Sequence, residues 1–391
     1  MGVKGRVGVL PLEDVVVLDL SRILTGPYCT MMLADFGAEV VKIEPPAGDD
    51  TRAWGPPFIE GESAYFLSVN RNKRSIVMDF QIERDRARFR RMVRSADVVV
   101  ENYRPGTLNK WGFDYPQLAA INPRIILASI SGFGATGPGR DRPGYDVVAQ
   151  AMSGLMSVTG DGGRPTKAGF SVADIGAGMW AAFGIMTALW ARRRTGRGQW
   201  VDTSLYETLV SWQTYQAGNF FATGQVPRAL GSAHPNIAPY QAVRARDGYF
   251  ILACGNDGLW RTLVKVAPVP FGDEEEFMTN AQRVMHRQEL ISRLEEEVFA
   301  AADVKDWVER LGAAGIPVAP IQDLAETWQD PQLLSRGMLA VLNHPMAGNI
   351  KTVGIPVKLS DTPGSLREAP PLLDQHRTEI LDRFGLDPDP S

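Results

Sequence analysis

The feature that narrows the fold most is an alternation of strand and helix that begins at residue 15. The runs VVVLDL (15–20), EVVKIE (39–44), SIVMDF (75–80), DVVVENY (97–103) and RIILASIS (124–131) are short, β-branched and bounded by turn residues, as strands buried on both faces must be. Helical patterns separate them. GPYCTMMLADFGA carries Gly37 near a C-cap position, and IERDRARFRRMVRSA sets Phe89, Met92 and Val93 on one face among many charges. Strands that alternate with helices build parallel βαβ units, so the expected class is α/β with a Rossmann-like, doubly wound sheet. Ligands of such sheets bind where loops leave the carboxyl ends of strands, here SRILTGP and ENYRPG.

The pattern continues through a long apolar helix from about Ile175 to Arg194, a strand in RGQWVDTSL and a helix in YETLVSWQTYQAGNFFATG. It then changes. YQAVRARDGYFILACG (240–255) is two apolar runs around Asp247-Gly248, a hairpin signal, and the sequence after it is helical and acidic to Leu311. A chain of 391 residues has room for two or three domains. The expected organisation is a large domain over 1–225, a smaller α+β domain over 226–325, and a segment over 326–391, with the strand-like NIKTVGIPVKLS, that returns to the large domain.

Composition excludes several classes of function. A formal net charge of −4 offers no broad attraction to nucleic acid or to an anionic membrane. The run AGMWAAFGIMTALWA is shorter than the roughly 20 residues a membrane crossing needs and leads into Arg192, Arg193 and Arg194, so it reads as a buried core helix. Cys29 and Cys254 are too few for a disulfide framework, which suggests a reducing compartment. The N-terminus lacks a continuous apolar stretch and a small-residue cleavage pattern. The expectation is therefore a cytoplasmic protein, with the mitochondrial matrix or peroxisome open for a eukaryotic chain. His234, His286, His344 and His376 are widely spaced, and no metal site is expected.

Gly132, Gly134 and Gly137 in SGFGATGPG have the spacing of a dinucleotide-binding fingerprint. The fingerprint requires a helix to start on the third glycine, but Pro138 follows it directly and Pro143 comes soon after. The segment instead reads as an irregular loop beside some other site.

With so few histidines, chemistry falls to carboxylates, and Glu44, Glu101, Asp146, Asp174 and Asp202 are the candidates near strand or helix ends. Asp174 stands before the long apolar helix. It reads either as an N-cap or as a reactive group beside main-chain amides able to stabilise an oxyanion, with Gly169, Gly176 and Gly178 allowing close approach.

Several longer stretches then carry a resemblance. DLSRILTGPYCTMMLADFGAEVVKIEPP, NRNKRSIVMDF, ADVVVENYRPGTLNKWGF, SGFGATGP, GYDVVAQAMSGLM and ADIGAGMWAAFGIMTALWARRRTGRGQWVDTSLYE, followed by AHPNIAPYQAV, GIPVAPIQDLAE and HPMAGNIKTVGIPVKLS, resemble the class III CoA-transferases in order and over almost the whole chain. The resemblance implies that Asp174 is the nucleophile of a CoA transfer through anhydride and thioester intermediates. It implies CoA and acyl-CoA as substrates, no tightly bound cofactor, and a homodimer of two interlocked chains. Matched position by position, Leu24, Thr25, Met78, Asp79, Phe80, Asn102, Tyr103 and Tyr145 would line the CoA site, with Arg104 and Lys110 on its phosphates. Leu24 replaces the glutamine of formyl-CoA transferases, and the glycine run those enzymes carry before Tyr240 is missing. Both departures point away from formate and oxalate. Arg52, Arg71 and Arg164 are read as spare cations for a second carboxylate, favouring a dicarboxylyl donor such as succinyl-CoA. Two alternatives remain: a racemase of the same fold, in which a histidine would replace Tyr145, and a non-catalytic acyl-CoA-binding protein.

Overall fold

A computed structural model describes residues 9–387; residues 1–8, part of the N-terminal stretch read above, and the last four residues of the C-terminal segment lie outside the described residues. The described residues divide into two compact units, one of residues 9–155, 168–217 and 331–387, the other of residues 156–167 and 218–330.

In the first unit, six strands carry the sheet: β1 (Val16–Asp19), β2 (Glu39–Glu44), β3 (Lys73–Val77), β4 (Val98–Glu101), β5 (Ile126–Ser131) and β6 (Trp200–Ser204). They lie in the order β3-β2-β1-β4-β5-β6 and every pairing is parallel. That is the doubly wound order, in which the connections reverse direction between β1 and β4 and leave a crevice at their carboxyl ends.

Strand alternation sorts the apolar residues between two layers. Val17, Val40, Val98 and Ala128 pack with α1 (Thr25–Asp35), whereas Leu18, Val41, Val99 and Leu127 pack with α2 (Glu83–Val93). In the second layer Phe89 and Phe113 are fully buried with ring centroids 4.6 Å apart. Each such ring contributes roughly 1.5–3 kcal/mol by leaving water. Two shorter helices, α3 (Thr107–Trp111) and α4 (Tyr115–Ile121), follow β4, and α5 (Asp146–Met152) follows the loop after β5.

The long helix α6 (Val172–Thr195) packs on α1 through Ala173, Ala177, Ala181, Ile185 and Ala188. It is not a wholly buried core helix. At 24 residues it is long and apolar enough to span a membrane by length and composition, yet half of its apolar window is buried in the fold, and Arg192 pairs with Asp97 at 2.7 Å. Its other face leaves Met179, Trp180, Phe183, Met186 and Trp190 exposed. At Gly178 the helix comes so close to α1 that a Cβ would sit 2.6 Å from the Thr25 carbonyl oxygen.

The segment after β6 is two helices rather than one, α7 (Leu205–Ser211) and α8 (Thr214–Thr223), because Thr214 adopts a left-handed φ of 35°. The C-terminal residues form a hairpin, β10 (Leu339–His344) with β11 (Gly348–Val353), and α11 (Arg377–Arg383). The strand pattern from 349 stops at Val353, before Pro356. Asp374 accepts a hydrogen bond from the Val77 amide, and the His376 amide donates to Ser75, fastening this segment to β3.

The second unit has its own apolar core, built on a three-stranded antiparallel sheet: β7 (Tyr240–Arg244), β8 (Tyr249–Ala253) and β9 (Val318–Pro320), with α9 (Asp257–Val266) and α10 (Val304–Ala313) against it. Its first two strands are the hairpin around Asp247-Gly248, which the Ala245 amide closes by donating to Gly248.

Candidate active site

Asp174 is the third residue of α6, not its N-cap; Ser171 occupies that position. The close packing at Gly178 sets the start of α1 beside the start of α6, and the Thr25 hydroxyl donates to Asp174 Oδ1 at 2.6 Å. Among the described residues Asp174 Oδ2 accepts no hydrogen bond. Burial pushes the Asp174 carboxyl up to about 6, with the Thr25 hydrogen bond opposing the rise and the charge of Asp146 adding to it. At neutral pH the group is largely ionised.

A cavity of about 180 Å³ opens onto this carboxylate. Its wall brings together Thr25, Asn102, Tyr103, Arg104, Tyr145 and Asp174 from the sequence-derived set. It also contains Arg22 and Arg142, which sequence reading did not single out although both lie in glycine- or proline-flanked loops at strand ends. Neither Arg104 nor Arg142 pairs with a carboxylate among the described residues, while Arg22 reaches Asp50 at 3.1 Å. The guanidinium of Arg142 lies over the Phe133 ring. Three arginines on a small cavity in a chain of negative net charge make a local anion-binding surface.

Other members of the expected set fall elsewhere. Leu24 is the N-cap of α1 and is buried against Met31 and Val69. Met78 and Phe80 are buried in the core around Phe89, and Asp79 accepts from the Gln81 amide. Lys110 is exposed on α3 and is not part of the cavity wall. Asn102 is on the wall, but its side chain is committed, accepting from the Arg22 amide at 2.9 Å and donating to the Arg22 carbonyl at 2.7 Å. It holds the SRIL loop in place. That loop carries Ile23 at φ 70°, a conformation disfavoured for a β-branched residue, and the Ile23 amide is gripped by both oxygens of Asp49, which is itself paired with the buried Lys42 at 2.8 Å.

The remaining carboxylates separate by environment. Glu44 is held in its ionised form, below its ordinary value, by a two-point pair with Arg52 that outweighs burial. Glu101 and Asp202 line a second cavity of about 430 Å³ at the carboxyl ends of β4 and β6, where burial raises Glu101 to about 7. Arg52 and Arg71 are not spare cations. Arg52 is taken by Glu44, and Arg71 makes two hydrogen bonds to Asp35, at 3.0 and 2.7 Å, while almost fully buried. Buried guanidinium groups require such partners. Arg164 lies in the other unit.

The α6 amides are also not open to an oxyanion. Val172 donates to the Phe170 carbonyl, Ala173 and Asp174 to Asp146 Oδ1, and Ile175 to the Ser171 carbonyl. The glycine-rich loop forms no helix on its third glycine. Gly132 instead lies against Gly144, where a Cβ would meet main-chain carbon at 2.7 Å, so the loop folds back on itself and delivers Tyr145 to the cavity wall and Asp146 to the first amides of α6. Both cysteines are buried, and burial pushes the Cys254 thiol up to about 12, leaving it inert. Among the described residues no cluster of three or more metal-binding side chains occurs.

Comparison with known proteins adds three findings. The model of CoA-transferase family III matches residues 12–377. A succinyl-CoA:glutarate CoA-transferase of Mus musculus is 41% identical over 95% of this chain and 86% of its own length, and a succinyl-CoA:mesaconate CoA-transferase of Haloarcula marismortui is 39% identical over 96% of this chain and 97% of its own. A crystal structure of a CAIB/BAIF family protein from Brucella suis superposes with a TM-score of 0.85 at 42% identity, covering 96% of this chain and 99% of that one.

Proposed function

The chain belongs to CoA-transferase family III, and from that premise we propose that Asp174 is its nucleophile, succinyl-CoA its donor and a dicarboxylic acid its acceptor. The observation that carries the reading is the Asp174 carboxylate itself, fixed at one oxygen by Thr25, unoccupied at the other, and facing an arginine-lined cavity.

An ionised carboxylate attacks without a general base, which suits a cavity wall that has no histidine. The Asp174 oxygen adds to the thioester carbonyl, the C–S bond breaks, and CoA leaves as thiolate from a mixed anhydride. The thiolate then attacks the Asp174 acyl carbon, releasing the donor acid as carboxylate and leaving an aspartyl-CoA thioester. The acceptor carboxylate attacks that thioester, expelling the thiolate and forming a second anhydride. A final attack by the thiolate on the acceptor's acyl carbon yields the new acyl-CoA and regenerates Asp174. No net proton transfer occurs at any step.

Arg104 and Arg142 are the cations for CoA phosphate and for the distal carboxylate of a dicarboxylic acid, a role that Arg52 and Arg71 are too committed to fill. The relatives named for succinyl-CoA, glutarate and mesaconate support the same substrate class. The active form is a homodimer. In support, α6 presents Met179, Phe183 and Trp190 to solvent at 52%, 63% and 62% exposure, an apolar face suited to a second copy. Sedimentation at nanomolar concentration that found a folded single chain would refute this part.

Initial rates with succinyl-CoA against a series of acceptors test the substrate class. Glutarate and related dicarboxylates are expected to exceed monocarboxylates of equal length by at least tenfold in kcat/KM, with formate and oxalate poor. Equal rates for mono- and dicarboxylates would overturn it.

A further inference from the structure

We infer that Asp146 is a positioning residue, which fixes the first turn of α6 and cancels the positive end of that helix before it can act on Asp174. The inference rests on the assignment of Asp174 as nucleophile.

The geometry is specific. Asp146 is the first residue of α5 and is buried. Its Oδ1 accepts from the Ala173 amide at 2.8 Å and more weakly from the Asp174 amide at 3.4 Å, while its Oδ2 accepts from Gln150 Nε2 at 2.6 Å. Gln150 is fully buried, and its own carbonyl oxygen accepts from the Ala168 amide at 2.8 Å. One carboxylate and one amide side chain thus pin the loop that leads into α6, and the first turn of α6, onto α5.

An uncapped helix N-terminus stabilises a nearby anion and would depress a carboxyl in the first turn. Here that field meets a full negative charge 27 residues earlier in sequence, and the charge of Asp146 works to raise Asp174 instead. A more basic carboxylate is a better nucleophile, provided it stays ionised at working pH. Among the other groups facing Asp174, burial keeps Tyr65 neutral at neutral pH, and Arg22, Arg104 and Arg142 lie on the cavity wall. Asp146 is thus the neighbouring carboxylate whose charge adds to the rise at Asp174.

The test is the pH profile of Asp146→Asn, which keeps an oxygen for the Ala173 amide and removes the charge. The acid limb of kcat/KM should move down by about half a unit to one unit. On the plateau kcat should fall several-fold while KM for the CoA ester holds. A folded Asp146→Asn enzyme with the wild-type limb and kcat would overturn the inference. Should that variant not fold, Gln150→Leu removes the clamp on Asp146 Oδ2 and should lower kcat several-fold at constant KM; unchanged kcat there overturns it equally. Trapping with hydroxylamine during turnover of the same variants separates the two claims. A hydroxamate at Asp174 formed with wild-type rate and pH dependence refutes the role of Asp146 alone, whereas one at another residue refutes the nucleophile and this inference together.

Discussion

Replacing Thr25 by valine removes the one hydrogen bond that holds the Asp174 carboxylate while keeping the volume of the side chain. The hydroxyl lies 2.6 Å from Asp174 Oδ1, and Thr25 is 4% exposed, so no water takes its place without rearrangement. A hydrogen bond to a charged group contributes about 1.5–3 kcal/mol, and 1.36 kcal/mol is one pKa unit, so the Asp174 midpoint should rise by about one to two units. From a starting value of about 6, the ionised fraction at pH 7 drops from roughly nine tenths to between about one half and one tenth. Activity at pH 7 should therefore fall about two- to tenfold and recover at more alkaline pH, where the carboxyl is again ionised. The assay is kcat/KM for acyl-CoA against pH, with wild type and variant side by side. An acid limb that stays within a few tenths of a unit of wild type would refute the reasoning, because the bond would then contribute nothing to holding the anion.

Three further outcomes are expected. Asp174 is raised from 3.8 to about 6 in the folded chain, so the folded state holds that proton more tightly; stability is greatest below the unfolded value and declines as pH rises through the folded one. Asp174→Asn should accordingly be inactive yet more stable than wild type at pH 7, by up to ~3 kcal/mol, with the difference closing below about pH 4; denaturant melts at the two pH values check it. Arg104→Ala should raise KM for the CoA ester about three- to tenfold at an exposed site, with less effect on the acceptor's KM. Gly178→Ala places a methyl 2.6 Å from the Thr25 carbonyl oxygen, which must separate α1 from α6; a stability loss of about 1–3 kcal/mol together with a fall in kcat is expected, and a fully active variant would show that the packing does not set the Thr25–Asp174 contact.

What the sequence made legible is what depends on local pattern. The β-branched runs mark five of the six strands of the sheet to within a few residues, since a strand buried on both faces has little compositional freedom, and RGQWVDTSL marks the sixth, a largely exposed edge strand. The glycine loop was legible as a loop because Pro138 forbids a helix there, but the contact between Gly132 and Gly144 was not, since it needs the loop to close on itself. The partners of the arginines were hidden for the same reason. Asp35 precedes Arg71 by 36 residues, and no periodicity joins them. Asp146 could be picked out as a carboxylate near a helix end, yet its service to α6 lies 27 residues downstream and is made to main-chain amides, which leave no mark in side-chain identity. The break at Thr214 was invisible because its left-handed backbone is imposed on a residue that does not ordinarily favour it.

The most direct test of the account is to trap the covalent intermediate. Enzyme incubated with succinyl-CoA and hydroxylamine, digested and sequenced by mass spectrometry, should carry a hydroxamate on Asp174, and Asp174→Ala should carry none and show no turnover. Turnover by Asp174→Ala, or a hydroxamate on any other carboxylate, would contradict it.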